Sequence, residues 1–224
     1  MILMKPSHEI LTTINSGEIL QRIEAAGRTC YKSERKITTE SAVPFVRSII
    51  KNSHESVIEH ESISVRFICD RGVTHELVRH RLAAFSQEST RYCDYVGKDE
   101  APQVTFIIPP WVEIAPGEYH TPDEFSTAWN SDHYWAWAML DAERYYATLR
   151  QHEWSPQSAR AVLPNSLKTE IVMTSNLREW RHVLKLRTSA AAHPQMRELM
   201  MPLLLDLTMK IPVVFDDIPS REGI

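Results

Sequence analysis

Glycine is scarce in this chain, with 6 in 224 residues, and that scarcity limits the folds open to it. The glycine-rich turns that cradle phosphates, GxxxxGK[ST] in P-loop proteins and GxGxxG in dinucleotide-binding folds, do not occur. No GxSxG turn marks a serine nucleophile either. If this chain binds a nucleotide, we therefore expect side chains rather than a glycine-rich backbone to hold it.

Hydrophobic periodicity predicts helices mixed with a few short strands, without a repeat or a linker. Helices are predicted over about 17–27, 38–52, 121–151, 155–163, 176–186 and 194–209. Strands are predicted over about 63–67, 104–108 and 169–175, and a polar loop over 95–102. The helix after residue 121 carries Trp135 and Trp137, which cannot share a face, so we expect it to be buried on more than one side. The sequence thus predicts an α+β fold: one compact domain over 1–224, with a small, mostly antiparallel sheet.

Charge and composition narrow the function. A net charge of -4 argues against nonspecific nucleic-acid binding, which needs a basic surface. No apolar run approaches the roughly 18 residues of a membrane span, and the first residues do not resemble a signal peptide. Three widely spaced cysteines give neither a disulfide framework nor a CxxC metal site. These features predict a cytoplasmic protein with reduced thiols.

The segment Thr74–Tyr92 carries the strongest signal of a binding site. Its nineteen residues hold three Arg and two His but no Lys, and Arg is favoured where a planar fork grips a phosphate or carboxylate. We expect a turn at Arg71-Gly72 and a helix capped by Thr74, which places the cations at the helix end and in the following loop. In an extended segment, Ser89 and Arg91 would point at one group, and a hydroxyl with a guanidinium suits a phosphate.

Two rival functions use the same residues. The histidines His54, His60, His75 and His80 allow a metal-dependent phosphohydrolase, although the HExxH spacing is missed by one residue and no metal site is predicted. A nucleotide-sensing module, in which the arginines bind a ligand without turnover, is the non-enzymatic alternative.

Ordered motifs resemble those of the flavin-dependent thymidylate synthases. Arg79-His80-Arg81, seven residues and then Ser89 match the family signature. Further matching blocks follow in the family's order: 54–60 (HESVIEH), 160–164 (RAVLP), 176–178 (NLR), 186–188 (LRT) and 193–195 (HPQ). The resemblance covers roughly 53–195.

This resemblance implies reductive methylation of dUMP to dTMP. Methylenetetrahydrofolate would supply the carbon, NADPH-reduced FAD the hydride, and no cysteine nucleophile would be needed. It also implies a homotetramer whose active sites are shared between subunits.

The resemblance assigns site residues in four groups. Arg187 is the implied catalytic residue, facing the N3/O2 edge of uracil, and His54 and Tyr92 are implied at the folate or nicotinamide approach. The implied FAD contacts are Ser56, Glu59, Arg79, His80, Arg81, Gln87, Asn176, Arg178, His182 and His193. The implied dUMP contacts are Glu76, Arg79, Gln87, Glu88, Ser89, Arg91, Arg160 and Arg187. The chain departs from the family pattern at Glu76, Ser56 and His182, where many relatives carry Gln, Thr and Asn.

Overall fold

A computed structural model describes residues 1–96, 103–125 and 130–219 of the chain. Helices mixed with two small sheets over these residues confirm the predicted α+β class. The chain divides into two compact units, Met1–Ser7, Phe67–Arg79 and Ser86–Ile171 in the first and His8–Arg66, His80–Phe85 and Val172–Ile224 in the second. The single domain over 1–224 stays a prediction. Within the described parts of the chain, no helix combines the length and apolar character needed to cross a bilayer.

The described residues contain the three predicted strands and four short strands that the sequence analysis does not predict. The strands are β1 (Ile2–Met4), β2 (Ser7–Ile10), β3 (Ser62–Asp70), β4 (Ala83–Gln87), β5 (Thr105–Ile107), β6 (Gly117–Glu118) and β7 (Lys168–Asn176). The α-helices are α1 (Ser16–Thr29), α2 (Ala42–Lys51), α3 (Arg71–Leu77), α4 (Ser131–Gln151), α5 (Pro156–Ala159), α6 (Leu177–Arg187) and α7 (Pro194–Lys210). Short 3-10 turns lie at Glu34–Lys36, Glu55–His60, Pro122–Glu124 and Arg160–Val162.

In the first unit, β1 is the middle strand of a three-stranded sheet. It runs parallel to β5 and antiparallel to β6, with Leu3 opposite both Phe106 and Gly117. The side chains of Leu3 and Phe106 are buried in the same hydrophobic cluster as Met139 and Tyr146 of α4. This cluster is the core of the unit.

Helix α4 differs from the prediction in two ways. Its buried residues recur every three or four positions from His133 to Ala147 and so form one stripe along the helix. The prediction that the helix is buried on more than one side is therefore wrong for a single chain. The helix begins at Ser131, where the Asn130 side chain accepts from the His133 amide at 3.0 Å. The predicted start at Thr121 does form a capping box, but it caps the 3-10 turn Pro122–Glu124. Residues 126–129 of the predicted helix and 97–102 of the predicted loop lie outside the described residues.

The second unit contains α1, α2, α6 and α7. Trp180 of α6 is fully buried, and its indole N–H donates to the Ile63 carbonyl of β3 at 3.0 Å. The four-stranded sheet has the order β2-β3-β7-β4, and parts of its strands belong to this unit. Helix α1 continues two residues past Gly27, the predicted end of the helix. Gly27 instead allows close packing, because a Cβ at this position would lie 2.7 Å from Phe45.

Helix α3 begins earlier than predicted. Asp70, the last residue of β3, caps it by accepting from the Val73 amide at 2.8 Å. The turn predicted at Arg71-Gly72 and the cap predicted at Thr74 are therefore wrong, and the Thr74 hydroxyl donates to the Arg71 carbonyl at 2.9 Å instead. Because α3 ends at Leu77, residues 79–81 do follow a helix as expected.

Candidate functional site

Helix α6 presents polar side chains on one face. The Asn176 side chain caps it, accepting from the Glu179 amide at 2.9 Å. Leu177, Trp180 and Leu184 are buried and anchor the helix. The exposed residues Arg178, His182 and Lys185, three or four positions apart, share the opposite face.

That face lines a cleft of about 710 Å³ within the second unit. Four of the eight residues lining it were predicted as flavin contacts: Glu59, Asn176, Arg178 and His182. The other four are Glu55, Leu82, Glu179 and Lys185, which the sequence analysis missed as site residues. The Arg178 guanidinium donates to the Glu59 carboxylate at 2.5 Å, so two of the predicted contacts are held together before any ligand binds.

A chain of three polar side chains lies at the Glu179 side of this cleft. The Nε of Arg187 donates to the Nε2 of His80 at 3.0 Å. On the other side of the ring, Glu179 Oε1 lies 3.4 Å from His80 Nδ1. His80 is 5% exposed, and burial together with Arg187 and His182 lowers its pKa to about 4. The ring is therefore neutral at neutral pH, and since Nε2 accepts a hydrogen bond, the hydrogen sits on Nδ1.

His80, Glu179 and His182 also form a cluster of metal-ligand types, with ligand atoms within 4.8 Å of one another. The tautomer of His80 opposes metal binding here, because an Nδ1 that carries a hydrogen has no lone pair for an ion. That the chain binds no metal stays a prediction. The hydrogen bond from Arg187 to His80 supports this prediction.

In the first unit, the predicted nucleotide contacts Gln87 and Glu88 are fixed by their neighbours. The Gln87 amide donates to Thr74 at 3.0 Å. Glu88 accepts from the Tyr95 hydroxyl at 2.8 Å and from Lys168 at 3.1 Å, and burial raises the pKa of Tyr95 so that it remains a donor. Glu88 is therefore held as an oriented, partly buried anion.

Residues 89–92 form a turn after β4, so the extended segment expected here is wrong. The Ser89 hydroxyl accepts from the Arg91 amide at 3.3 Å, which is a serine turn. The turn still places the Ser89 hydroxyl beside the backbone of Arg91. The Arg91 guanidinium donates to Gln157 at 2.9 Å, and Arg160 donates to Thr90 at 2.9 Å.

The remaining predicted residues are spread along exposed segments. In the second unit, His54, Ser56, Arg81 and His193 are exposed, and the described residues that line the cleft do not include them. In the first unit, Arg79 and Tyr92 are exposed and Glu76 is half-buried.

The two predicted sets separate by unit. The flavin set belongs to the second unit except for Arg79 and Gln87. The nucleotide set belongs to the first unit except for Arg187. Within the signature Arg79-His80-Arg81, Arg79 belongs to the first unit and the other two residues belong to the second.

Comparison with known proteins supports the motif resemblance. The chain matches the model of the family described as thymidylate synthase complementing protein over residues 13–213. The flavin-dependent thymidylate synthase of Mycobacterium tuberculosis is 37% identical over 201 residues, 87% of this chain and 78% of that protein. That of Mycolicibacterium gilvum is 36% identical over 221 residues, 95% of this chain and 84% of that protein.

A solved structure shares the fold. The UMP/dUMP methylase PolB from Streptomyces cacaoi, bound with 5-Br dUMP, superposes with a TM-score of 0.74 over 96% of both chains, at 21% identity. The likeness confirms the fold class. The family match over residues 13–213 shows that the chain belongs to the thymidylate synthase complementing protein family.

Proposed function

We propose that this chain is a flavin-dependent thymidylate synthase. It converts dUMP to dTMP by reductive methylation, with methylenetetrahydrofolate as carbon donor and NADPH as the source of electrons. The observation that carries the proposal is the cleft of the second unit, where four predicted flavin contacts meet beside the His80–Arg187 hydrogen bond. Because the chain belongs to this family, we do not regard the grouping of these four residues as accidental.

The residues of the cleft fit a flavin. Its wall combines donors on Asn176, Arg178 and Lys185 with the apolar surface of Leu82, which is 74% exposed. Donors suit the diphosphate and ring carbonyls of FAD, and the exposed leucine gives a large aromatic ring a surface to pack on. FAD, when bound, supplies the redox chemistry that no side chain can supply.

The nucleotide contacts would act by holding charge. Ser89 and Arg91 would hold the phosphate of dUMP, and Gln87, Glu88 and Arg160 would be further nucleotide contacts. Arg187 would face the N3/O2 edge of the uracil ring. A guanidinium held there stabilises negative charge that develops on the ring and makes C5 more nucleophilic.

Two of the three cysteines support a mechanism without a thiol nucleophile. Cys69 lies buried on β3, and burial raises the pKa of its thiol well above neutral. Since the thiolate is the nucleophile, Cys69 is inert at neutral pH. Cys30 is exposed at the end of α1, away from the residues that line the cleft.

The charge of the cleft supports a shared site. Its wall carries three carboxylates (Glu55, Glu59 and Glu179) against the cations of Arg178 and Lys185. A diphosphate needs a surplus of cations, so further ones must come from outside this set, as in a homotetramer with sites shared between subunits. His54 and Tyr92, both exposed, would serve the approach of folate or nicotinamide. The enzyme would work in the cytoplasm, without nucleic acid or membrane partners.

The test is a visible absorption spectrum of the purified protein after incubation with FAD and desalting. Retained flavin bands that change on addition of dUMP, followed by dTMP formation with NADPH and methylenetetrahydrofolate, are the expected results. A colourless protein that makes no dTMP would overturn the proposal. Phosphate release that chelators abolish would point to a metal-dependent phosphohydrolase, and dUMP binding without consumption of NADPH to a sensor.

A further inference from the structure

We propose that His80 is a positioning residue for Arg187, and that Glu179 fixes the tautomer in which His80 does this. The inference rests on the proposed function for its catalytic consequence, because it is the Arg187 guanidinium that would face the uracil ring. The contacts themselves lie within the second unit and do not depend on it.

The hydrogen bond at Arg187 has a defined direction. A guanidinium carries donors and no acceptor, so the 3.0 Å contact between Arg187 Nε and His80 Nε2 requires a lone pair on Nε2. A neutral imidazole with its hydrogen on Nδ1 meets this requirement, whereas the other tautomer and the imidazolium would bring two hydrogens together. His80 is thus a hydrogen-bond acceptor, although the sequence Arg79-His80-Arg81 suggests three cations.

Glu179 stands where it selects that tautomer. Its carboxylate lies 3.4 Å from Nδ1, longer than a good hydrogen bond but close enough to favour a hydrogen on that nitrogen. Glu179 is 7% exposed, so its charge is weakly screened by water. His182 of α6 meets the same ring edge to face, with ring centres 5.8 Å apart.

Positioning matters because Arg187 lies at the last residue of α6, where a long side chain has many rotamers. A bond at Nε restricts the side-chain torsions and so fixes the direction in which the guanidinium points. Orientation of a catalytic group by this kind of contact affects the reaction step more than ground-state binding.

The first experiment uses nitrogen NMR of the ligand-free protein. We expect the His80 ring to show a hydrogen on Nδ1 and a bare Nε2 from pH 8 down to about 5, since its pKa lies near 4. The Arg187 Nε–H resonance should be protected from exchange, should lose that protection in His80→Leu and should keep most of it in His80→Gln. The longer amide of Gln carries an oxygen to the region of Nε2. A hydrogen on Nε2, or unchanged Arg187 protection in folded His80→Leu, would overturn the proposal.

The second experiment separates kcat from KM. His80→Leu should lower kcat by about 100-fold while the KM for dUMP changes by less than about 3-fold. His80→Gln should recover most of kcat, and Glu179→Gln should give an intermediate loss because it leaves the tautomer unselected. Ser64→Ala, which removes a 2.8 Å hydroxyl contact with Thr174 in the same unit, is the matched control and should keep the wild-type kcat.

The outcomes for the two proposals are distinct. A wild-type protein that forms no dTMP refutes the proposed function, and the NMR experiment then still decides whether His80 holds Arg187. An active wild type together with a folded His80→Leu variant whose kcat stays within about 2-fold refutes the positioning role alone.

Discussion

Replacing Arg181 with Met tests how much one buried cation stabilises the second unit. Arg181 is 1% exposed, and its guanidinium is bound by two carboxylates and the Val214 carbonyl. It reaches Asp217 at 2.6 and 2.8 Å and Glu55 at 3.0 and 3.2 Å. Methionine would fill similar space but leave the two carboxylates without their shared partner.

The expected cost is about 3 kcal/mol, the lower end for breaking a buried ion pair. The lower end applies because the Asp217 and Glu55 side chains are 47% and 21% exposed and can be rehydrated. Lys185, 3.7 Å from Glu55, would also replace part of the lost charge. For a chain of this size that cost lowers the Tm by about 6–12 °C, measured by circular dichroism.

The pH dependence gives the reasoning a second test. Hydrogen bonds from Arg181 hold the pKa of Asp217 below its ordinary value. The stability this carboxylate contributes is therefore present above its unfolded-state pKa, near 4, and is lost as the pH falls through its lower folded-state pKa. The gap between wild type and Arg181→Met should shrink from pH 6 to pH 3.

Arg178→Met is the matched control, one turn earlier on α6. Its ion pair with Glu59 involves side chains that are 54% and 40% exposed and screened by water, so its loss should cost much less than the loss of the Arg181 contacts. Equal costs for the two substitutions, or an Arg181→Met gap that does not change with pH, would refute the reasoning.

Three further predictions concern packing, thiols and the nucleotide. Gly27→Ala should lower the free energy of unfolding, measured with urea, by about 1–3 kcal/mol. The clash of a Cβ 2.7 Å from Phe45 costs more than the roughly 1 kcal/mol of helix propensity that alanine gains. A stabilised variant would contradict this. A protein with alanine at all three cysteines should still form dTMP, and loss of turnover in a folded variant would restore a thiol mechanism. Ser89→Ala should raise the KM for dUMP by about 10–100-fold with kcat retained, because one hydrogen bond to a charged group is lost. Complete loss of turnover at saturating dUMP would indicate covalent catalysis instead.

Elements with strong periodicity were predictable from the sequence. The α6 prediction was right because Asn176 at its start is a good cap and Trp180, Val183 and Leu184 make one stripe. Strand β7 was found because its alternate residues are buried. Strand β4 was missed, since its alternation of half-buried and exposed residues in AAFSQ has little hydrophobic contrast.

Helix boundaries failed for two different reasons. Asp70 ends β3 and also caps α3, but it lies beyond the predicted strand, which ends near residue 67, and the pattern of apolar residues does not mark it as a cap. Gly27 suggested a helix end, whereas the approach of Phe45 from α2 requires a missing side chain at that position. The Gly27 contact joins residues that are distant in sequence, whereas the Asp70 cap is local.

The candidate site shows the same limit for charge. In the structure the Glu179 amide donates to the Asn176 cap, while the Glu179 carboxylate lies beside His80. Only a folded chain reveals that the backbone and the side chain of one residue serve different partners. Among the acidic and basic residues that line the cleft, the motifs identified Glu59 and Arg178 but missed Glu55, Glu179 and Lys185.

His80 shows why residue type alone does not define charge at such a site. Two unit charges 3.0 Å apart repel by about 5 kcal/mol at an effective dielectric constant of 20, so a protonated His80 beside Arg187 would be expelled or would expel it. Burial and Arg187 lower the His80 pKa to about 4, which keeps the ring neutral through the range where unburied histidines become charged. The unfolded chain then binds more protons than the folded one between about pH 4 and 6.5, so His80 makes stability rise with pH across that window. His80 thus makes the fold sensitive to acid while it supplies an acceptor at Arg187, which is expected of a group that orients a cation rather than of one that binds an anion.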